Sequence, residues 1–251
     1  MHVKNILGVL AAATLGCLLF TLSASAGPIQ VTYTNPGSNT INLPGVGGVY
    51  TFPYYVSGAA MMCDDAQTDV HPPLTWWADV NYISTGLTSM KWYNLTFSGN
   101  YSAALQAYEE AAIIFYEGAT GAGTVADGTA GGTWSGEANV AVWYLFSPSK
   151  VTGDAETSPI LTAAAQAVAN GQDALGNSDA YIYSHVVFLT PDSSAILNPA
   201  NPGLNLGAGL GASQEFIGLG SQMVSAPEPG TYAMFGAGLM GLGWLGRRRR
   251  A

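Results

Sequence analysis

Of the two cysteines in this 251-residue chain, Cys17 falls inside an N-terminal apolar run and Cys63 stands alone in everything that follows. A lone thiol cannot close an internal disulfide, which leaves two readings. Either Cys63 is a small buried apolar residue behind Met61 and Met62, or it is a nucleophile that needs an acyl partner from elsewhere in the chain. The acids beside it invite a metal reading, since Asp64, Asp65, Asp69 and His71 crowd oxygen and nitrogen donors into eight residues. Their spacing lacks the alternate ligands and central glycine of an EF-hand loop, so an acidic solvated loop is expected there and no metal. Glu109, Glu110 and Glu117 are the acids a glycoside hydrolase would use, but adjacent helical positions point about 100° apart and cannot converge on one bond. A solvated helix face is expected for them. His185 sits in an apolar, strand-like run without a nucleophile pattern and reads as a core or interface histidine. Trp76, Trp77, Trp92, Tyr93 and Trp134 could stack on sugar rings or fill a core; strand alternation sends Trp76 and Trp77 to opposite faces, so at most one of them is free to bind. No catalytic residue and no cofactor site emerges.

Three short blocks bear on the thiol: Met62-Cys63-Asp64, Ala138-Asn139-Val140-Ala141-Val142-Trp143 and Ser213-Gln214-Glu215-Phe216-Ile217. In order and spacing they resemble the blocks of thioester-forming domains in bacterial surface adhesins. The resemblance implies a cysteine thiol condensed with a glutamine carboxamide, with Cys63 as the thiol and Gln214 as the acyl group. The chain departs from that pattern where Asn139 stands in place of the usual glutamine, and where Asp64 and Asp65 follow the cysteine. Adjacent carboxylates disfavour a thiolate. The same fold without the reactive bond remains the alternative.

The elements that must position these residues read as a mixture. Residues 29–34, 49–56, 75–83, 90–97, 138–146 and 181–189 have the β-branched and aromatic content of strands, with Gly, Pro and Asn between them. Residues 101–117 repeat with helical period, placing Leu105, Tyr108, Ala112 and Phe115 on one stripe between Asn100 as cap and Gly118 as stop. A second helix is expected over 159–170, with Ser158 as cap, Pro159 in the first turn and Gly171 past its end. Residues 118–136 and 198–213 are rich in Gly, Ala and Asn and read as loops. The expected fold is α+β, mostly antiparallel β-sheets with two short helices.

Both ends of the chain read as addresses rather than as parts of that fold. Residues 1–26 have the basic start, apolar run and small-residue site of a secretory signal peptide, with Ala24 and Ala26 flanking Ser25 at the cleavage point. Residues 27–197 are expected to form the extracellular domain, 198–213 a loop, and 214–226 its terminal strand and linker. At the far end, Pro227, Glu228 and Pro229 precede an uncharged apolar stretch, 232–246, closed by Arg247, Arg248, Arg249 and Arg250. Two prolines keep the triplet extended and accessible to a processing enzyme. Fifteen helical residues reach only about 22 Å against the roughly 30 Å hydrocarbon core, short for a permanent anchor. The arginines hold the cytoplasmic side, so the preceding chain lies outside. Residues 227–251 closely resemble the PEP-CTERM sorting signal of Gram-negative bacteria. That resemblance implies transient inner-membrane anchorage through the 232–246 helix, recognition by an exosortase-type transpeptidase, and release or transfer to the cell surface or exterior.

Without its two ends the chain keeps two lysines, Lys91 and Lys150, against fifteen of its sixteen acids, a formal charge of −13. Such a body repels phosphates and anionic headgroups, which argues against nucleic-acid partners. The expected partners are the secretion machinery, the exosortase, and extracellular polysaccharide or matrix. The leading expectation is a non-enzymatic exported surface or extracellular-matrix protein with an adhesive role. A covalent binding module using Cys63 and Gln214 is the second reading, and a secreted hydrolase the third.

Overall fold

The computed structural model describes residues 28–35, 40–43, 47–66, 74–120, 134–149, 151, 157–173, 176–192 and 214–222. The signal peptide, the 198–213 loop and the whole sorting tail, with its 232–246 helix, lie outside these residues. Among the described residues no helix is long and apolar enough to cross a membrane.

Six strands close an antiparallel barrel: β1 (Ile29–Asn35), β4 (Tyr54–Val56), β5 (Ala59–Cys63), β8 (Phe216–Leu219), β7 (Val186–Pro191) and β6 (Leu74–Asn81), in that order and back to β1. β2 (Thr40–Leu43) and β3 (Gly47–Tyr50) pair separately as a two-stranded sheet. The expected strand over 49–56 is therefore two strands, broken at Phe52 and Pro53, because proline has no N–H to give a ladder. Alternation sends Val31, Tyr33, Tyr54, Met61, Cys63, Trp76, Leu189 and Phe216 into the barrel. Phe216 is the centre of this interior, its ring centroid 5.9 Å from Tyr33, 5.8 Å from Tyr54 and 5.7 Å from Trp76.

The expected α+β class and antiparallel pairing hold, but the described residues contain five α-helices rather than two. They are α1 (Lys91–Leu95), α2 (Tyr101–Thr120), α3 (Trp134–Phe146), α4 (Thr157–Asn170) and α5 (Asp179–His185). α2 begins where Asn100 caps it, Oδ1 accepting from the Ala103 N–H at 3.2 Å. It runs past Gly118 to Thr120, whose hydroxyl donates to the Tyr116 carbonyl. α4 starts at Thr157, so Ser158 and Pro159 lie in its first turn, and Gly171 follows its end with φ +70°.

Three expected strands are wholly or partly helical. Residues 138–146 belong to α3: Ala138, Ala141, Val142 and Phe146 pack into the main helical core, while Val140 and Trp143 pack with Val151 into a second cluster. A helix buried on two sides shows no single stripe, and its valines then mimic a strand. Residues 91–95 form α1. Residues 179–185 form α5, capped by the Ser178 hydroxyl, and only from Val186 does the chain become β7.

The helices cover the outer faces of β5, β8 and β7. Met62, Ile217 and Phe188, which point away from the barrel interior, join Tyr108, Phe115 and Phe146 in one cluster. These three strands are thus buried on both sides. The outer faces of β1, β4 and β6 keep exposed residues such as Tyr55 and Trp77.

Candidate functional site

The site forms at the seam between β5 and β8. Met62 pairs with Ile217 and Cys63 with Phe216, and the ladder continues one step further as the Asp64 N–H donates to the Glu215 carbonyl at 3.3 Å. One more step back along β8 brings Gln214 opposite Asp65. On an antiparallel pair, residues two apart share a face, so Gln214 becomes the diagonal neighbour of Cys63. The register alone therefore unites residues separated by most of the chain.

Side-chain geometry completes the arrangement. The Cys63 thiol donates to the Asp65 carbonyl at 3.4 Å, and its sulfur accepts from the Asp65 N–H at 3.3 Å. Gln214 Nε2 donates to that same Asp65 carbonyl at 3.4 Å. Thiol and carboxamide thus share one acceptor. From α3, Asn139 Nδ2 donates to the Cys63 carbonyl at 2.6 Å while its Oδ1 accepts from the Phe52 N–H at 2.9 Å. The three sequence blocks meet at one place, and Asn139, the residue that departs from the adhesin pattern, ties the cysteine backbone to the segment before β4. Cys63 is fully buried and Gln214 is 8% exposed.

Burial, above all, pushes the Cys63 thiol well above its ordinary range, with the Asp65 and Asp64 carboxylates adding to the effect. A protonated, shielded thiol is a poor general nucleophile and a poor metal ligand.

The acids following Cys63 are not a solvated loop. Asp64 and Asp65 are both buried, and Asp65 Oδ2 pairs with Lys91 Nζ, the first residue of α1. The expectation failed because charge in a sequence usually signals water, whereas here a lysine 26 residues away supplies the counter-charge. Asp69 and His71 lie outside the described residues, among which no group of three or more His, Cys, Asp or Glu side chains could hold a metal.

Glu215 organises the other side of the seam. Its carboxylate accepts from the Tyr108 hydroxyl at 2.9 Å, from the Lys91 N–H at 3.0 Å and from the Thr190 hydroxyl, fastening β8 to α1, α2 and β7. Asn81 donates to Thr190 and accepts from Ser89, extending the network into β6. Asp64 lies beside Glu215 and Trp92, and burial, then the Glu215 and Asp65 charges, push its carboxyl well up. The buried setting therefore favours the neutral form of Asp64. Lys91, Tyr108 and Thr190 were invisible as site residues. The one available signal was Lys91 itself, a rare lysine inside the apolar run Met90-Lys91-Trp92-Tyr93.

The remaining candidates scatter. Glu110 and Glu117 are buried rather than solvated, with Gln106 donating to Glu110 at 2.8 Å, and Glu109 is half-buried. His185 ends α5 instead of lying in a strand, with its ring 4.1 Å from that of Tyr181. Trp76 points into the barrel and Trp77 out of it, as alternation requires, and Trp92 is buried; the Trp134 side chain is outside the described residues.

The fold and the seam define a barrel domain with a shielded thiol and a carboxamide on one carbonyl. The far end of the chain gives it an address: residues 225–250 match the PEP-CTERM protein-sorting motif. The match spans Pro227 to Pro229 and Arg247 to Arg250, and it marks an exported protein recognised by an exosortase through a membrane-anchored C-terminal signal. No curated protein and no solved structure is significantly similar to the chain.

Proposed function

We propose that this exported protein is an adhesive component of the cell surface or extracellular matrix whose barrel binds its target covalently, through an internal thioester between Cys63 and Gln214. The observation that carries this reading is the shared Asp65 carbonyl, which holds the Cys63 thiol and the Gln214 amide each at 3.4 Å. In the condensation, Cys63 Sγ adds to Gln214 Cδ, the Cδ–Nε2 bond breaks, and ammonia leaves with the thiol proton. Because both donors face one oxygen, that proton has a short path from sulfur to the departing nitrogen. Proximity of this kind replaces the activation that the environment denies the thiol. Burial then keeps water from the thioester until a partner amine or hydroxyl reaches the Gln214 side and takes the acyl group, returning the thiol. Each molecule reacts once, so the protein is a binding module and not an enzyme. A negatively charged body favours neutral or cationic matrix partners over anionic ones.

The test uses the full-length chain isolated from an expressing host. Native protein is incubated with methylamine, then denatured, alkylated and digested for peptide mass analysis. Untreated protein should yield a linked pair of peptides carrying Cys63 and Gln214, lighter by one ammonia. Methylamine should convert Gln214 to its methylamide and free Cys63 for alkylation, and Cys63→Ala should abolish both results. An alkylatable Cys63 and an unmodified Gln214 in untreated protein would refute the reading.

A further inference from the structure

Asp65 offers its backbone to the thiol and the carboxamide, and its side chain to something else. Lys91 Nζ lies 2.5 Å from Asp65 Oδ2, with the two side chains 1% and 0% exposed. The lysine is held from both ends: its backbone N–H donates to Glu215 at 3.0 Å, and its ammonium sits 5.2 Å from the centroid of the buried Trp92 ring. Neither oxygen of the neighbouring Asp64 carboxyl meets a partner in good hydrogen-bond geometry among the described residues. An amine and a carboxyl are therefore confined together at the end of β5, shielded from water beside the Trp92 ring, and a second buried carboxyl stands on the adjacent residue.

Chemistry between the first two follows from their setting. Two opposite charges buried in an apolar surround have lost their hydration, and joining them into a neutral amide removes both charges at once. In water, amide formation from an amine and an acid is disfavoured; fixed contact in a site without bulk water supplies an effective concentration that solution cannot match. We propose that Lys91 and Asp65 condense to an intramolecular isopeptide bond, a covalent staple between the end of β5 and the start of α1.

The step balances without an oxidant or a cofactor. The ammonium gives up a proton, the Nζ lone pair adds to Asp65 Cγ, and the Cγ–O bond breaks as the oxygen leaves in water. The two protons that the nitrogen sheds both end on that oxygen, so ammonium and carboxylate give one amide and one water with nothing left over. The staple shares Asp65 with the thioester reading but none of its chemistry. One bond uses the Asp65 side chain and expels water; the other uses Cys63 and Gln214 and expels ammonia.

Trypsin provides a direct test, because between the two ends of the chain its only cleavage sites are Lys91 and Lys150. The full-length protein is treated with methylamine to open any thioester, denatured and digested. The staple predicts cleavage after Lys150, none after Lys91, and a peptide spanning 65 and 91 lighter by one water. Lys91→Arg should restore both cleavage and full mass, since guanidinium does not condense. Asp65→Asn should keep the cross-link while changing the mass lost from one water to one ammonia. Cleavage after Lys91 with full calculated mass in the unsubstituted chain would overturn the proposal and leave an ordinary buried ion pair. That result is read on denatured wild-type protein, so it stands even where a variant fails to fold. Absence of methylamine at Gln214 would count against the thioester alone, and would leave the missing water as evidence for the staple.

Discussion

The strands β6, β1 and β4 have water on their outer side, while β5, β8 and β7 have helices there. On the first half, buried and exposed positions alternate: Trp76 turns in and Trp77 out, Tyr54 in and Tyr55 out. On the second half, all six residues of β7 are buried, and β5 is buried apart from one partly exposed alanine. The residues proposed to react all belong to the second half or to the chain beside it. Its dry outer side tolerates Glu215 because a hydrogen-bond network meets it, and its dry interior shields Cys63. The proposed covalent chemistry would need such shielding more than access, and the two halves differ in just that property.

The largest test of this division is Phe216→Ala. Phe216 sits in the interior against Tyr33, Tyr54 and Trp76, immediately after the two residues that carry the site. Removing a fully buried aromatic ring is expected to cost about 3–5 kcal/mol, measured as a shift of the urea unfolding midpoint. The same change should release the Cys63–Gln214 register, so linked peptides should fall with stability. A loss below about 1 kcal/mol would mean that the interior is not organised around this ring.

Next in size is a pH effect confined to the wrapped half. Asp64 titrates well above its ordinary value of 3.8 when folded, so the folded chain keeps a proton that the unfolded chain releases. The favourable contribution of this group is complete below the unfolded value and is lost as pH rises toward the folded one. For one proton the slope approaches about 1.4 kcal/mol per pH unit. Asp64→Asn keeps the neutral shape and removes the titration. Urea unfolding between pH 5 and 7 should therefore show a shallower decline with rising pH in the variant than in the unsubstituted chain. Equal slopes would show Asp64 to be ionised in the folded state.

What could be read from the chain follows the same boundary. The strand over 29–34, and that over 75–83 as far as Asn81, were legible because water on one side imposes alternation, and the second helix because a proline and a terminal glycine mark it. Residues 138–146 were not, because a helix enclosed by two clusters presents apolar side chains on most of its faces. At the seam, Cys63 drew notice as one odd thiol and Gln214 through a resemblance, and the fold brings the two side by side. Their meeting depends on β5–β8 pairing across most of the chain, which no local pattern encodes. Asp64 and Asp65 were misread as solvated, since Asp65 is compensated by Lys91, 26 residues away, and Asp64 is buried in a setting that favours its neutral form. Local rules describe residues that face water; tertiary partners decide the rest.

Trp77→Ala probes the half with water outside, and its effect should be the smallest. The side chain stands on the outer face of β6, 39% exposed, opposite Gln30 of β1. Nearby on that face, the Thr32 and Thr75 hydroxyls bond each other at 3.1 Å, so removing the indole strands neither of them. The expected change in the urea midpoint corresponds to no more than about 0.5 kcal/mol, and the Cys63–Gln214 linkage should be untouched. This variant also separates two ways of holding a matrix. If a polysaccharide stacks on the exposed indole, retention of the chain by that polysaccharide should fall in Trp77→Ala while methylamine incorporation at Gln214 stays constant. If binding runs through the thioester alone, Cys63→Ala should abolish retention and Trp77→Ala should leave it unchanged, because the wall that faces water then contributes solubility and the wall beneath the helices contributes the bond.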